Sequence, residues 1–362
     1  MNSPADVAII GGGIVGCAAA AFLAEAGVRV DVYEGEEVAA AASGRNSGSV
    51  QHPFDPVLRD LHLETLRHYR ELADFELPRE PVGVLMLARE RGVLEPSVTE
   101  VARDCPELAP ELLGPDELQA LEPAVRPGLW GCRLETGYPA RPAAATRAFA
   151  KRAYAAGARF HEGETAWPWV IGARARGVLA AGVRRPAGAV LVAAGPWTPE
   201  VIDPTRAWQP IVPVWGAVAE IEMEDPPRHV LEEVGVEAVG ASGAASIFSL
   251  VAADGQVSVG STFLAERPDA PAWAPNLRRA GERFVPGLRS GKVVGARACA
   301  RPQSIDGRPL VGEFPGQEGL WVAAGHGPWG ISTGPATARI AVDALLSEAE
   351  VPAALSVARA GA

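Results

Sequence analysis

Apolar positions fall in short blocks of two periods along this chain. Residues 6–10 form a compact apolar run that predicts a buried strand. Residues 17–26 are almost all small and predict a helix ended by Gly27, and residues 28–33 predict a second strand closed by Glu34. A long amphipathic stretch follows at 57–77. Further on, 189–197 reads as a buried strand ending in glycine, and 320–324 as a strand feeding a glycine-rich turn. The helix after that turn is expected from about Pro335 to Leu346, with the proline in its first turn. Alternating or β-branched runs at 216–223 and 245–262 predict strands, whereas 106–127 and 266–275, rich in Pro, Gly and acids, predict loops with short helices. There is no internal repeat and no low-complexity tail.

The first strand, helix and second strand make a βαβ unit whose opening turn is Gly11-Gly12-Gly13-Ile14-Val15-Gly16. In such a turn Gly11 permits the sharp bend, Gly13 lets backbone approach a pyrophosphate, and Gly16 lets helix and sheet pack closely. The helix N-terminus then faces the anion. Glu34 stands about 20 residues on, where a carboxylate accepts hydrogen bonds from an adenosine ribose. A tight β-α turn without a ligand would not need that acid. The unit therefore predicts dinucleotide binding. The next segment, 39–49, is small and polar, and its Ala42, Ser43, Arg45, Asn46, Ser47, Gly48 and Ser49 suit a loop lying against a flat cofactor. This favours FAD over a nicotinamide cofactor.

Composition narrows the class. The chain has 362 residues, 48 % of them hydrophobic, enough for one large domain or two intertwined ones. Its formal charge of −11 disfavours nucleic-acid and anionic-membrane partners. Cys17, Cys105, Cys132 and Cys299 show neither metal-ligand spacing nor a disulfide framework, so no metal is expected. The first apolar run leads into the glycine turn rather than a cleavage site, and no stretch approaches the roughly 20 apolar residues of a transmembrane helix. The expectation is a cytoplasmic protein.

Residues 301–312, Arg-Pro-Gln-Ser-Ile-Asp-Gly-Arg-Pro-Leu-Val-Gly, together with Ala323-Ala324-Gly325-His326 and Gly334-Pro335-Ala336-Thr337, carry a family resemblance. The chain resembles the D-amino-acid oxidase superfamily of FAD-dependent oxidoreductases, and within it the glycine oxidase and sarcosine oxidase-like branch. The likeness covers 7–34, 42–49, 157–166, 190–197 and 301–338. It implies an α/β fold: a Rossmann-like FAD-binding domain (1–78, 141–207 and 297–362) interleaved with a substrate domain on a mostly antiparallel sheet (79–140 and 208–296). It also implies FAD contacts from Ile14, Val15, Glu34, Gly35 and the 42–49 loop. Ala166 would meet the adenine side, Ala194 and Gly195 would approach the cofactor, and His326, Gly327, Pro328, Gly330, Ile331 and Ser332 would line the flavin. The helix N-terminus after that turn would stabilise charge on the reduced ring.

By the same resemblance Arg301 pairs with a substrate carboxylate, a task suited to a planar guanidinium; a structural pairing with Asp306 is the alternative. Trp329 and His52 are further candidates on the substrate side, His52 equally as a structural histidine. Two positions depart from the family. Pro328 and Trp329 stand where glycine oxidase-like members carry a second arginine, and Pro213-Val214-Trp215-Gly216 replaces a Pro-x-Arg-Gly turn. The pocket is therefore expected to be more apolar and aromatic, suited to a bulkier amino acid or a secondary amine. Cys299 falls where sarcosine oxidase-like members bond covalently to flavin. The surrounding residues match the noncovalent pattern better.

The implied reaction is oxidation of the C–N bond of a small amine or amino acid by hydride transfer to flavin, giving an imine that hydrolyses. Electrons would then pass to oxygen or another acceptor. No general base is visible. A 2-hydroxy acid dehydrogenase and a flavoprotein tailoring an unusual metabolite remain as alternatives.

Overall fold

The computed structural model describes residues 4–234, 246–347 and 349–361. Strand β1 (Ala5–Ile10) is followed by helix α1 (Ile14–Glu25) and strand β2 (Val30–Glu34). Then come α2 (Ala42–Arg45), β3 (Ser49–Val50), α3 (Arg59–Arg70), β4 (Val84–Ala88), α4 (Arg91–Asp104), β5 (Glu111–Leu113) and α5 (Pro115–Leu121). The middle of the chain forms β6 (Trp130–Leu134), β7 (Tyr138–Pro139), α6 (Ala144–Ala155), β8 (Arg159–Glu162), β9 (Ala166–Ile171), β10 (Arg174–Ala180), β11 (Val183–Val192) and α7 (Thr198–Ile202). The remainder forms β12 (Ile211–Glu222), β13 (Val230–Glu233), β14 (Ser246–Ala253), β15 (Gln256–Thr262), α8 (Ala270–Gly281), β16 (Lys292–Ser304), β17 (Leu310–Glu313), β18 (Leu320–Ala324) and α9 (Gly330–Leu345).

One sheet runs β17-β18-β11-β1-β2-β8, with β9 and β10 attached to β11. Its centre is parallel, since β1 pairs in that sense with β2 and β11, and β11 with β18. A strand buried on both faces needs an apolar sequence throughout, and β1 is buried at five of its six residues. Helix α1 is buried almost all round, which explains its alanines: it is wedged among the sheet, α6 and α9. No side chain larger than hydrogen fits at Gly16, whose Cβ would collide with the Gly11 carbonyl.

The second sheet runs β16-β12-β15-β14-β13-β4-β6-β5, antiparallel except for the β13–β4 pair. The expected strand at 245–262 is a hairpin of β14 and β15, and Ala245 itself lies outside the described residues. The sheet's core is a cluster around Leu85, Leu231, Phe248 and Leu250 covered by α8. No helix among the described residues is long and apolar enough to cross a membrane.

Two local expectations are corrected. The helix expected within 266–275 is not a short one confined to that segment: α8 begins at Ala270, with the Asp269 carboxylate accepting the Ala272 N–H at 3.3 Å, and continues past Pro275 to Gly281. Helix α9 begins at Gly330, so Pro335 lies in its interior rather than its first turn. Proline cannot donate to the carbonyl four residues back, here Ile331. That carbonyl instead accepts the Tyr69 hydroxyl at 2.5 Å, and the next helical N–H, from Ala336, turns to Thr65 Oγ1 at 3.2 Å. Helix α3 thus supplies the hydrogen bonds that let α9 start early.

Candidate active site

A cavity of about 1180 Å³ runs from the β1–α1 turn to the inner face of the second sheet. This exceeds the usual few hundred to about 1,000 Å³ of a small-ligand pocket. Gly11, Gly13, Ile14, Val15, Glu34, Gly35, Ala42, Ser43, Arg45, Asn46, Ser47 and Ser49 line one end, with Ala166, Ala194 and Gly195. His326, Gly327, Pro328, Trp329, Gly330 and Ile331 line the middle, and Arg301, from β16 of the second sheet, lines the cavity there. Residues separated by some 300 positions thus share one space.

Four expected residues do not line it. Gly16 serves helix–sheet packing, and Gly48 adopts φ +89° where a Cβ would press on the Ala140 carbonyl at 2.6 Å. Ser332 Oγ accepts the Gln51 N–H at 3.0 Å. His52 is buried beside the cavity, with Nε2 3.4 Å from Glu107 Oε1 and its ring edge-on to His62. The structure gives His52 a packing position there, not a place in the wall. Cys105 completes a group with His52 and Glu107 whose ligand atoms lie within 4.8 Å, but the Arg59 guanidinium already sits 3.2 Å from the Glu107 carboxylate.

The cavity's nucleotide end fits the expected cofactor. Gly13 caps α1 with no side-chain cap and no acid in the first turn, so the positive end of the helix opens toward the cavity. A Cβ on Gly13 would meet only Ser43 Oγ, at 3.1 Å, and that hydroxyl accepts the Ile14 N–H at 2.9 Å. Glu34 is held by two backbone donors, Gly12 N–H to Oε2 at 2.6 Å and Glu36 N–H to Oε1 at 3.0 Å. Those bonds aim its carboxylate at the end of β2, where a ribose would lie. His326 is buried, and burial pushes its imidazole down to about 4, so the ring is neutral at physiological pH. Its Nε2 has no hydrogen-bond partner among the described residues, as expected of an atom awaiting a polar ligand.

Arg301 is held differently from the pairing with Asp306 that the sequence left open. Asp306 bonds Arg359, at 2.9 and 3.1 Å. Arg301 donates from Nη1 to the Thr262 carbonyl at 3.0 Å and from Nη2 to Ser261 Oγ, and its guanidinium lies 4.5 Å from the Phe263 ring centre. Neither partner is a carboxylate. It lies flat across Gly216, where a Cβ would come within 2.6 Å of both terminal nitrogens. The glycine of the altered Pro-Val-Trp-Gly run, which lies within β12 rather than in a turn, therefore makes room for the arginine. Both departures from the family pattern reach the cavity: Trp329 stands edge-on to Phe54, and Trp215 is faced by Arg267 at 5.6 Å.

Four residues in or beside the wall carry no sequence signal, and the first of them, Arg297, stands behind the wall. Arg297 ties the 42–49 loop to the second sheet, donating to the Asn46 carbonyl at 2.8 Å and to Ser258 Oγ at 2.8 Å while pairing with Glu220. Gln51, Glu232 and Ser261 line the cavity itself. No local motif marks them, because their position depends on strand pairing between distant segments.

The family model described as FAD dependent oxidoreductase matches residues 6–344. Glycine oxidase from Bacillus licheniformis is 25% identical, the alignment covering 96% of this chain and 94% of that protein. Glycine oxidase from Pseudomonas aeruginosa is 28% identical with 93% of each chain covered. The crystal structure of glycine oxidase from Geobacillus kaustophilus superposes with a TM-score of 0.84, 23% identity and 98% of each chain covered. With a glycine turn, a ribose-facing glutamate and a long two-ended cavity already in place, the match along nearly the whole chain identifies it as a member of the D-amino-acid oxidase family of FAD-dependent oxidoreductases.

Proposed function

We propose that this enzyme oxidises the C–N bond of a small amine or amino acid, giving an imine that water hydrolyses to a carbonyl compound. The observation that carries this reading is Arg301, a half-buried guanidinium in the cavity wall whose bonds go to the Thr262 carbonyl and Ser261 hydroxyl rather than to an acid. A desolvated guanidinium of this kind is suited to a ligand carboxylate. When bound, FAD supplies the acceptor for the hydride that leaves the carbon bearing nitrogen.

The chain's own residues bind, orient and exclude water. Gly11, Gly13 and the α1 N-terminus would hold the pyrophosphate, Glu34 the ribose, and the 42–49 loop with residues 326–331 the ring system. Helix α9 would present its N-terminus, opened by Pro335 and braced by Tyr69, to the ring's electron-rich edge. Trp329 and Trp215 would wall the reacting carbon from solvent, which also favours the neutral amine. The two sheets support a two-part division with the cavity lined from both, although β16 (Lys292–Ser304) crosses the boundary expected at 297 and belongs to the second sheet along its whole length. FAD would be held without a covalent link. Burial pushes the Cys299 thiol up, away from the thiolate that a sulfur–flavin bond needs.

The test is anaerobic mixing of the yellow holoenzyme with amines, amino acids of both configurations and 2-hydroxy acids. Loss of flavin absorbance with amines or amino acids, and carbonyl product on quenching, is the expected result. Bleaching by hydroxy acids alone would replace this reading with a C–O dehydrogenase. Acid precipitation separately reads the linkage: a colourless pellet is expected, and a yellow one would place the bond at Cys299.

A further inference from the structure

Beside the cavity, side chains from two distant segments point donor atoms at a common spot. His52 follows β3, in the segment that frames the flavin end. Cys105 ends α4, and Glu107 stands in the single helical turn Pro106–Leu108 that leads to β5 of the second sheet. An imidazole nitrogen, the thiol sulfur and a carboxylate oxygen, one from each, lie within 4.8 Å of one another. His52 is 3% exposed, and Cys105 is fully buried. The backbone under both is fixed: the His52 N–H donates to Thr136 Oγ1 at 2.8 Å, and the Cys105 N–H to the Val101 carbonyl at 2.8 Å.

Packing accounts for the place of the His52 ring but not for its nitrogens. Neither has a hydrogen-bond partner among the described residues. Nε2 stands 3.4 Å from Glu107 Oε1, outside hydrogen-bond geometry. A nearly buried imidazole is ordinarily bonded through at least one nitrogen, and a cation among the three groups would satisfy Nε2. At zinc distances of roughly 2.0–2.3 Å, nitrogen, sulfur and oxygen stand about 3.3–3.8 Å apart around a tetrahedral ion. The contraction this needs falls on Glu107, whose side chain is 32% exposed and can turn.

Arg59 is the competitor. Its Nε lies 3.2 Å from Glu107 Oε1, with half of the side chain in solvent. An exposed ion pair contributes at most about 1 kcal/mol, whereas thiolate, imidazole and carboxylate together bind a zinc ion far more strongly. The guanidinium would swing outward as the ion arrives.

We propose that His52, Cys105 and Glu107 form a site for a thiophilic divalent cation such as zinc, which staples the flavin-framing segment to the turn that enters the second sheet. Coordination replaces the Cys105 S–H bond with a sulfur–metal bond and releases the proton to solvent; no electron is transferred. Solvent takes the fourth position. A thiolate in the set selects zinc over magnesium, which prefers oxygen. The neighbouring Gln51 lines the cavity, so the ion fixes that wall from behind. No spacing along the chain marks the site, because the histidine and the Cys-Pro-Glu run meet only in the fold.

The test is calorimetric titration of untagged, chelator-dialysed yellow holoenzyme with zinc chloride and, separately, magnesium chloride. The expected result is one zinc per chain at micromolar affinity or tighter, with proton release and no comparable magnesium binding. Loss of even an outer partner of a metal ligand costs about 10–100-fold in affinity, so Cys105→Ser should weaken zinc by about a hundredfold or more. Cys132→Ser, at a buried free thiol outside the group, should leave it unchanged. Arg59→Ala should tighten it by removing the cation that competes for Glu107. Absence of zinc binding by the native holoenzyme overturns the site whether or not any variant folds. So do magnesium binding as tight as zinc, and native affinity in a folded, yellow Cys105→Ser. An Arg59→Ala variant that binds no tighter than the native protein would take Glu107 out of the ligand set and overturn the site as drawn.

Discussion

The Tyr69 hydroxyl donates to the Ile331 carbonyl at 2.5 Å, across 262 positions of sequence. That carbonyl is the one Pro335 deprives of its helical donor. Tyr69 is fully buried, and burial keeps its phenol protonated far above neutral pH. A side chain of α3 therefore completes the first turns of the helix that ends the cofactor cavity.

Tyr69→Phe should lower the unfolding free energy of the holoprotein by about 1–3 kcal/mol, the cost of leaving a buried carbonyl unsatisfied, and should weaken FAD retention. Denaturant unfolding and flavin release by dialysis measure the two effects. Unchanged values in both would show that water or another donor replaces the phenol without loss.

The two glycines of the first turn should fail in different ways. At Gly11, φ is +115° and a Cβ would collide with the Ala193 carbonyl, so Gly11→Ala should reduce soluble, folded protein. At Gly13 a Cβ meets only the Ser43 hydroxyl, so Gly13→Val should fold and lose FAD because the side chain enters the cavity. Circular dichroism with the flavin-to-protein absorbance ratio distinguishes the cases. A yellow Gly13→Val would remove the pyrophosphate from this turn.

Gly216→Ala should act on Arg301 without touching its charge. The new methyl would stand within 2.6 Å of Nη1 and Nη2, displacing the guanidinium. The apparent KM for carboxylate substrates should rise about tenfold or more, with a smaller effect on kcat, as expected when a charged hydrogen bond is misaligned. Amines lacking a carboxylate should be affected little, and an equal loss for both classes would deny Arg301 its binding role.

Acid should destabilise the protein well before its carboxylates titrate. Burial pushes His62 and His326 each down to about 4 in the native state, against roughly 6.5 in an unfolded chain. The unfolded state then binds protons that the native state refuses. Their contribution is fully present above pH ~6.5 and is lost as pH falls from there toward ~4, by about 1.4 kcal/mol per pH unit for each histidine. Urea unfolding at a series of pH values should show this slope, and a His326→Asn variant should show a shallower one. A flat profile between pH 6.5 and 5 would contradict the burial of both rings.

Much of this protein was legible along the chain because the relevant physics is local. A sharp turn that opens a helix needs glycine at defined spacing, so 11–16 with Glu34 announced the dinucleotide end before any contact was known. The buried strands at 6–10 and 320–324 were equally plain, since a strand covered on both faces must be apolar throughout; of 189–197 only the stretch to Val192 is strand, the buried end of β11, and 195–197 is a helical turn. Local rules misplaced the start of α9, because the donor that compensates Pro335 comes from Tyr69, on a different helix.

Arg301 and Trp329 were also legible, but the Glu232 side of the cavity was decided by tertiary structure alone. Nothing near position 232 marks a cavity wall, and Glu232 reaches Gln51 only because β13 pairs with β4 and β14 while the segment after β3 folds beneath them. His52, one residue from Gln51, is turned toward Glu107 instead. Backbone geometry is written in neighbouring residues, and so the cofactor could be read from them. Selectivity lies in how side chains from distant strands converge, a property of the packed sheet that linear spacing does not encode.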